Sequence, residues 1–106
     1  FVVVKKGEHG AVLVHGEGVA TVPAFPAPLD RVVDPTGAGD TFAGGMMAHI
    51  AKCDRTDLET LQSALAWGTV MASHTIESFG LDGIRAIDDS ALQSRLEAFR
   101  RAARIA

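Results

Sequence analysis

One cysteine, Cys53, stands among the 106 residues. That excludes an intrachain disulfide and gives no sign of an oxidising, secreted setting. No apolar run approaches the ~20 residues needed to cross a bilayer. The N-terminus lacks the pattern of a secretory leader, because Lys5 and Lys6 follow the short apolar run instead of preceding it. Basic charge is also scarce, with 10 Lys and Arg against 13 Asp and Glu for a net charge of −3. A duplex binder needs a basic face, so a nucleic-acid partner is not expected, nor is a membrane. The one basic cluster, Arg95, Arg100, Arg101 and Arg104, falls on a C-terminal helical pattern and reads as a solvated helix face. With 47% hydrophobic and 22% charged residues the composition suits one small globular domain in a reducing, cytoplasmic setting.

The chain opens directly on Phe1-Val2-Val3-Val4, a continuous apolar run without alternation. Such a run reads as a strand covered on both faces, as in a parallel sheet. The rest of the sequence offers only a hairpin and helices as neighbours, so a fragment of a larger protein is expected. Gly7-Glu8-His9-Gly10 reads as a turn. Ala11–His15 and Gly18–Val22 read as two strands of a hairpin joined through Gly16-Glu17-Gly18. Pro23, Pro26 and Pro28 impose an extended stretch without ladder donors, and Arg31-Val32-Val33 leads into a glycine-rich loop. Three helices are predicted after it. The first runs from that loop to about Lys52. The second opens on a capping box at Thr56-Asp57-Leu58-Glu59, presents Leu58, Leu61 and Leu65 on one face, and reaches about Thr75. The third opens on a capping box at Ser90-Ala91-Leu92-Gln93 and presents Leu92, Leu96, Phe99 and Ala103. The set reads as part of an α/β layered fold.

Chemistry concentrates in Asp34-Pro35-Thr36-Gly37-Ala38-Gly39-Asp40-Thr41-Phe42-Ala43-Gly44-Gly45. Gly37 and Gly39 let the backbone turn sharply and approach a ligand with no Cβ in the way. The chain then enters a helix, whose first-turn N–H groups lack intrahelical partners. Together with the positive end of the helix dipole, they suit a phosphate. A carboxylate in that turn is a poor choice for phosphate binding alone, so Asp40 points to proton abstraction from an attacking hydroxyl. Two commoner phosphate motifs are excluded. No Lys-Ser or Lys-Thr pair follows the last glycine, as a Walker A loop requires. Phe42 stands where a dinucleotide fingerprint needs its third glycine.

Other polar residues carry less. His9, His15, His49 and His74 show no zinc-like spacing. Cys53 has no base argued for it, and Trp67 and Met71 read as core. Gly44-Gly45 reads as close packing against another element, and Glu77 and Asp82 as loop residues without a chemical signal.

The glycine segment resembles the second signature of the ribokinase (PfkB) family of carbohydrate kinases over about a dozen residues. Val4-Lys5-Lys6-Gly7-Glu8-His9-Gly10-Ala11 is similar to the family's strand and turn beside the ATP phosphates. The helix through Ala64-Leu65-Ala66-Trp67-Gly68-Thr69 is similar to the one lining its adenine site. The resemblance implies that residues 1–106 are the C-terminal ATP-binding and catalytic part of a ribokinase-like three-layer α/β/α fold. It implies an ATP-dependent phosphotransferase acting on a hydroxyl of a sugar, nucleoside or small polyol. Asp40 would be the catalytic base, and the amides of Gly37, Ala38, Gly39 and Asp40 the anion hole. Lys5, Gly7, Gly10 and Thr69 would face ATP, and Asp34 and Thr36 a monovalent cation such as K+. Lys5 stands where many family members carry threonine. Mg2+ is implied as well, although the acidic motif associated with it lies outside these residues, as do the substrate pocket and lid. A homodimeric parent is a further expectation. A non-catalytic nucleotide- or phosphate-binding module, or an inactive truncated product, is the alternative.

Overall fold

The computed structural model describes residues 1–26, 32–77, 82–85 and 87–103. The readings that involve Pro28, Arg31 and Arg104 fall outside these residues. Three strands, β1 (Val2–Lys5), β2 (Ala11–His15) and β3 (Gly18–Val22), form an antiparallel sheet in the order β1-β2-β3. Two turns set its register. A 3₁₀ turn at Gly7–His9 brings Lys5 opposite Ala11, and the Gly16-Glu17 connection brings His15 opposite Gly18. Both hairpin strands match the boundaries expected from the sequence. Gly10 is required by more than its φ of 87°, since a Cβ there would collide with the Val22 carbonyl oxygen.

Among the described residues four helices follow: α1 (Ala38–Cys53), α2 (Leu58–Thr75), α3 (Asp82–Arg85) and α4 (Asp89–Ala102). The three long ones agree with the sequence reading to within one or two residues. The short α3 was not foreseen. The capping residues differ from those expected. Asp57, not Thr56, caps α2 by accepting from the Thr60 backbone N–H (3.3 Å) and hydroxyl (2.6 Å). Asp88, not Ser90, caps α4 through the Ala91 N–H at 2.7 Å. In both places a carboxylate is available within two residues of the expected hydroxyl, and an anion suits the positive helix end better.

The core lies between one sheet face and the helices. Ala11, Leu13, Ala20 and Val22 point inward, and Leu61, Leu65 and Val70 of α2 are fully buried. Phe99 and Leu96 of α4 close the far side. The opposite sheet face is bare: Val2, Val4, Val14 and Val19 share it by register and are exposed, Val19 by 62%. The expectation that the opening apolar run is covered on both faces is therefore not met among the described residues. The strand that follows β1 folds back antiparallel on one edge, and the helices pack on one face only.

Arg95 departs from its reading as part of a solvated helix face. Its guanidinium pairs with Glu77 (3.0 Å), donates to Ser73 Oγ (3.2 Å) and lies 5.2 Å from the Phe25 ring centroid. This contact ties α4 to the end of α2 and to the chain after the hairpin. Glu77, which carried no signal in the sequence, is its partner.

Helices α1 and α2 meet through small residues. A Cβ on Gly45 would stand 2.8 Å from Met71 Cγ and 3.2 Å from Gly68 Cα, which confirms close packing there. Gly44 differs, because a Cβ would meet nothing within 4 Å. Adjacent substitutions should therefore have opposite signs. Gly44→Ala should stabilise by about 0.5–1 kcal/mol through helix propensity, while Gly45→Ala should destabilise by overpacking. Urea midpoints of the two variants check this.

Candidate active site

The glycine turn does lead into a helix. Gly37 adopts φ 84°, ψ −1° at the N-cap, a left-handed conformation open to glycine at little cost, and Ala38 begins α1. The turn before it is held by Asp34, whose Oδ1 accepts the Thr36 N–H at 3.0 Å, and by the Ala38 N–H donating to Pro35 O at 3.2 Å. The Ala38 amide thus has a partner within the turn. Gly39 and Asp40 occupy the first helical turn, where no carbonyl four residues back lies inside the helix. Asp40 is exposed and takes part in none of the ion pairs among the described residues. A carboxylate so placed is open to a ligand at the helix mouth.

Hydrogen bonds from the end of α2 anchor this loop from below. Thr75, 1% exposed at the end of α2, donates to Thr41 Oγ1 at 3.0 Å, and Thr41 donates to Gly37 O at 3.0 Å. The Ile76 carbonyl accepts both the Val33 N–H (2.7 Å) and the Asp34 N–H (3.1 Å). The C-terminal end of α2 therefore fixes both limbs of the loop. These links are not legible in the sequence. Thr41 and Thr75 are 34 positions apart, and no local pattern pairs them.

Lys5 reaches the loop from the sheet, with Nζ 3.1 Å from Gly39 O. Gly7 and Gly10 border the turn after β1, which is closed by Lys6 N–H donating to Gly10 O at 2.8 Å. Thr69 is different: it is buried in α2 and its hydroxyl donates to Leu65 O at 2.8 Å. The structure thus brings Lys5, Gly37, Gly39 and Asp40 together and turns the Thr69 hydroxyl into its own helix.

The Thr36 N–H bond to Asp34 lowers the pKa of that carboxyl below its ordinary value. Asp34 is therefore ionised at neutral pH, and one of its oxygens already serves the turn. Unpaired first-turn amides at the mouth of a helix suit a phosphate. No group of three or more His, Cys, Asp or Glu side chains comes together among the described residues.

Among the other polar residues, His49 Nε2 lies 3.5 Å from Cys53 Sγ, one helical turn apart on α1, and its ring stacks on Trp67. His74 Nε2 is buried without a hydrogen-bond partner among the described residues. Burial, then the nearby Arg95, lower its pKa, against a smaller opposing effect of Glu77. The unfolded chain therefore binds a proton at higher pH than the folded one. The stability associated with neutral His74 is complete above about 6.5 and falls as pH drops from there through the lowered folded value. His49 acts in the same direction through burial, Arg100 and Lys52. Between pH 7.5 and 5.5, urea midpoints should fall, and the fall should be shallower in His74→Leu. An unchanged slope in that variant would show that His74 is not responsible.

A profile of the pfkB family carbohydrate kinases matches residues 1–85. Cytidine kinase of Thermococcus kodakarensis is 40% identical over 75 residues, which cover 64% of this chain and 27% of that enzyme. Adenosine kinase of Saccharomyces cerevisiae is 37% identical over 79 residues, covering 74% of this chain and 22% of the relative. Among solved structures, aminoimidazole riboside kinase from Salmonella enterica, complexed with aminoimidazole riboside and an ATP analogue, superposes with a TM-score of 0.77 at 26% identity. That superposition covers 89% of this chain and 30% of the other. The chain thus spans less than a third of the length of these relatives and has the α/β architecture of a ribokinase-like fold over that span. No described helix is long and apolar enough to cross a membrane. From the glycine signature, the turn that opens α1 and the match over residues 1–85, the chain belongs to the pfkB family of carbohydrate kinases.

Proposed function

We propose that this segment supplies the phosphate grip and the general base of an ATP-dependent kinase acting on a hydroxyl of a sugar, nucleoside or related small polyol. The observation that carries this reading is the left-handed Gly37 opening α1 with Asp40 exposed in its first turn. Asp40 takes the proton of the acceptor hydroxyl as its oxygen bonds to the γ-phosphorus, and the bond to the bridging oxygen of ADP breaks. Since the transition state is loose, Asp40 also contributes by orienting the hydroxyl. The amides of Gly37, Gly39 and Asp40 stabilise charge on the transferring group; the Ala38 amide joins them by giving up its 3.2 Å bond to Pro35 O.

Lys5, Gly7 and Gly10 border the nucleotide phosphates in this reading. Thr69 backs the adenine side as a packing residue, since its hydroxyl is bonded to Leu65 O. Asp34 and Thr36 form the monovalent-cation position. Mg2+ accompanies the ATP phosphates, with its protein ligands outside the described residues. The relatives' names, cytidine kinase and adenosine kinase, support a nucleoside or sugar as acceptor. The test is ADP formation by the full-length protein with ATP, Mg2+ and a panel of ribonucleosides, free sugars and inositol. Acceptor-dependent ADP is expected. Nucleotide binding without turnover on any acceptor would favour a non-catalytic binding module instead.

A further inference from the structure

The ammonium of Lys5 meets the backbone of the glycine turn across 34 positions of sequence, 3.1 Å from Gly39 O. Its place is not accidental to the fold. The β1–β2 register sets Lys5 opposite Ala11, and the Lys6 N–H to Gly10 O bond closes the turn immediately after it. The glycine at position 39 leaves room for the contact, since a Cβ there would stand 3.0 Å from Lys5 Nζ. The stem of Lys5 runs beside Phe42 and Ala43 in a shallow, largely apolar groove between β1 and α1. An exposed lysine on an edge strand serves well enough against edge-to-edge pairing. That role does not require its head to be bonded to the residue directly before the base.

We propose that Lys5 is a positioning residue for phosphoryl transfer, clamping the first turn of α1 to the sheet through the Gly39 carbonyl. The inference rests on the kinase reading given above. The Gly39 carbonyl and the Asp40 amide belong to one planar peptide unit. Holding that carbonyl therefore fixes the direction of an anion-hole donor and the position of the Cα that carries the base. From below, Thr75 and Thr41 hold Gly37. Lys5 holds the other side of the same turn. The ammonium also adds a positive charge beside the helix mouth, where negative charge shifts during transfer.

The test uses the full-length protein and three variants, Lys5→Met, Lys5→Arg and Asp40→Asn, assayed for ADP formation with the best acceptor of the panel. Lys5→Met keeps the apolar stem and removes the charge. It should lower kcat by about 10-fold, because small misplacements of a reacting group are costly, while the KM for the acceptor stays within about twofold. Lys5→Arg should recover most of kcat, since a guanidinium can still donate to the carbonyl. Amide hydrogen exchange at Asp40 and Thr41 should quicken severalfold in Lys5→Met, with the thermal midpoint unchanged. If the wild type turns over, Asp40→Asn is impaired and Lys5→Met matches the wild type in kcat and exchange, the clamp is wrong and the kinase reading stands. If the wild type turns over no acceptor, both fall.

Discussion

In the full-length protein, Asp40→Asn lowers acceptor-dependent ADP formation by about 10²-fold or more, the range expected when a general base is removed. The substitution keeps the size and shape of the side chain and removes its ability to take a proton. Asp40 also sits in the first turn of α1, where an anion is favoured by the helix dipole by about 0.3–1 kcal/mol. That contribution bounds the stability change, so the unfolding midpoint should move little while the rate collapses. The exposure of Asp40 and its absence from the ion pairs of the described residues make this separation possible. Unchanged turnover would reject Asp40 as the base.

The largest effect on stability is expected at Gly68. A Cβ there would stand 2.6 Å from the Phe42 backbone oxygen and 3.2 Å from its ring. The ring could move, but the carbonyl belongs to α1 and cannot shift without moving the helix. Gly68→Ala should therefore cost about 3 kcal/mol, at the upper end of the usual penalty for overpacking. Phe42 is two residues beyond Asp40, so the displaced turn is the one that carries Asp40. Urea unfolding measures the first consequence, and turnover should fall with it. A change of less than about 0.5 kcal/mol, the range of ordinary surface substitutions, would mean that α1 and α2 do not cross this closely.

Much of this arrangement was legible in the sequence, because local chemistry dictates it. Paired glycines flank the turn after β1 and the hairpin connection, and both hairpin strands fall where those turns put them. Helix α1 begins at the residue after Gly37 because the glycine supplies the left-handed entrance. The family signature was legible for the same reason: its residues are contiguous. What escaped was long-range. Arg95 looked like one arginine among several on a polar face, yet Glu77 and Phe25 lie on other elements and draw it in. Lys5 and Gly39, and Thr41 with Thr75, are each 34 positions apart, and their pairing depends on the packing of α1 against sheet and α2. The opening valines signal more burial than the described residues supply, since these cover only one face of their strand in a chain that spans less than a third of its relatives' length. The caps were misplaced by one or two residues where a nearby aspartate outcompeted the expected hydroxyl.

The central claim is that amides at the mouth of α1 grip the transferring phosphoryl group while Asp40 faces its acceptor. A crystal structure of the full-length protein with a non-hydrolysable ATP analogue and an acceptor tests it most directly. The γ-phosphate should rest against the Gly37–Asp40 backbone, and an Asp40 carboxylate oxygen should lie about 2.6–3.2 Å from the acceptor hydroxyl. A nucleotide bound with its γ-phosphate away from this turn, or an Asp40 carboxylate facing no acceptor, would contradict it.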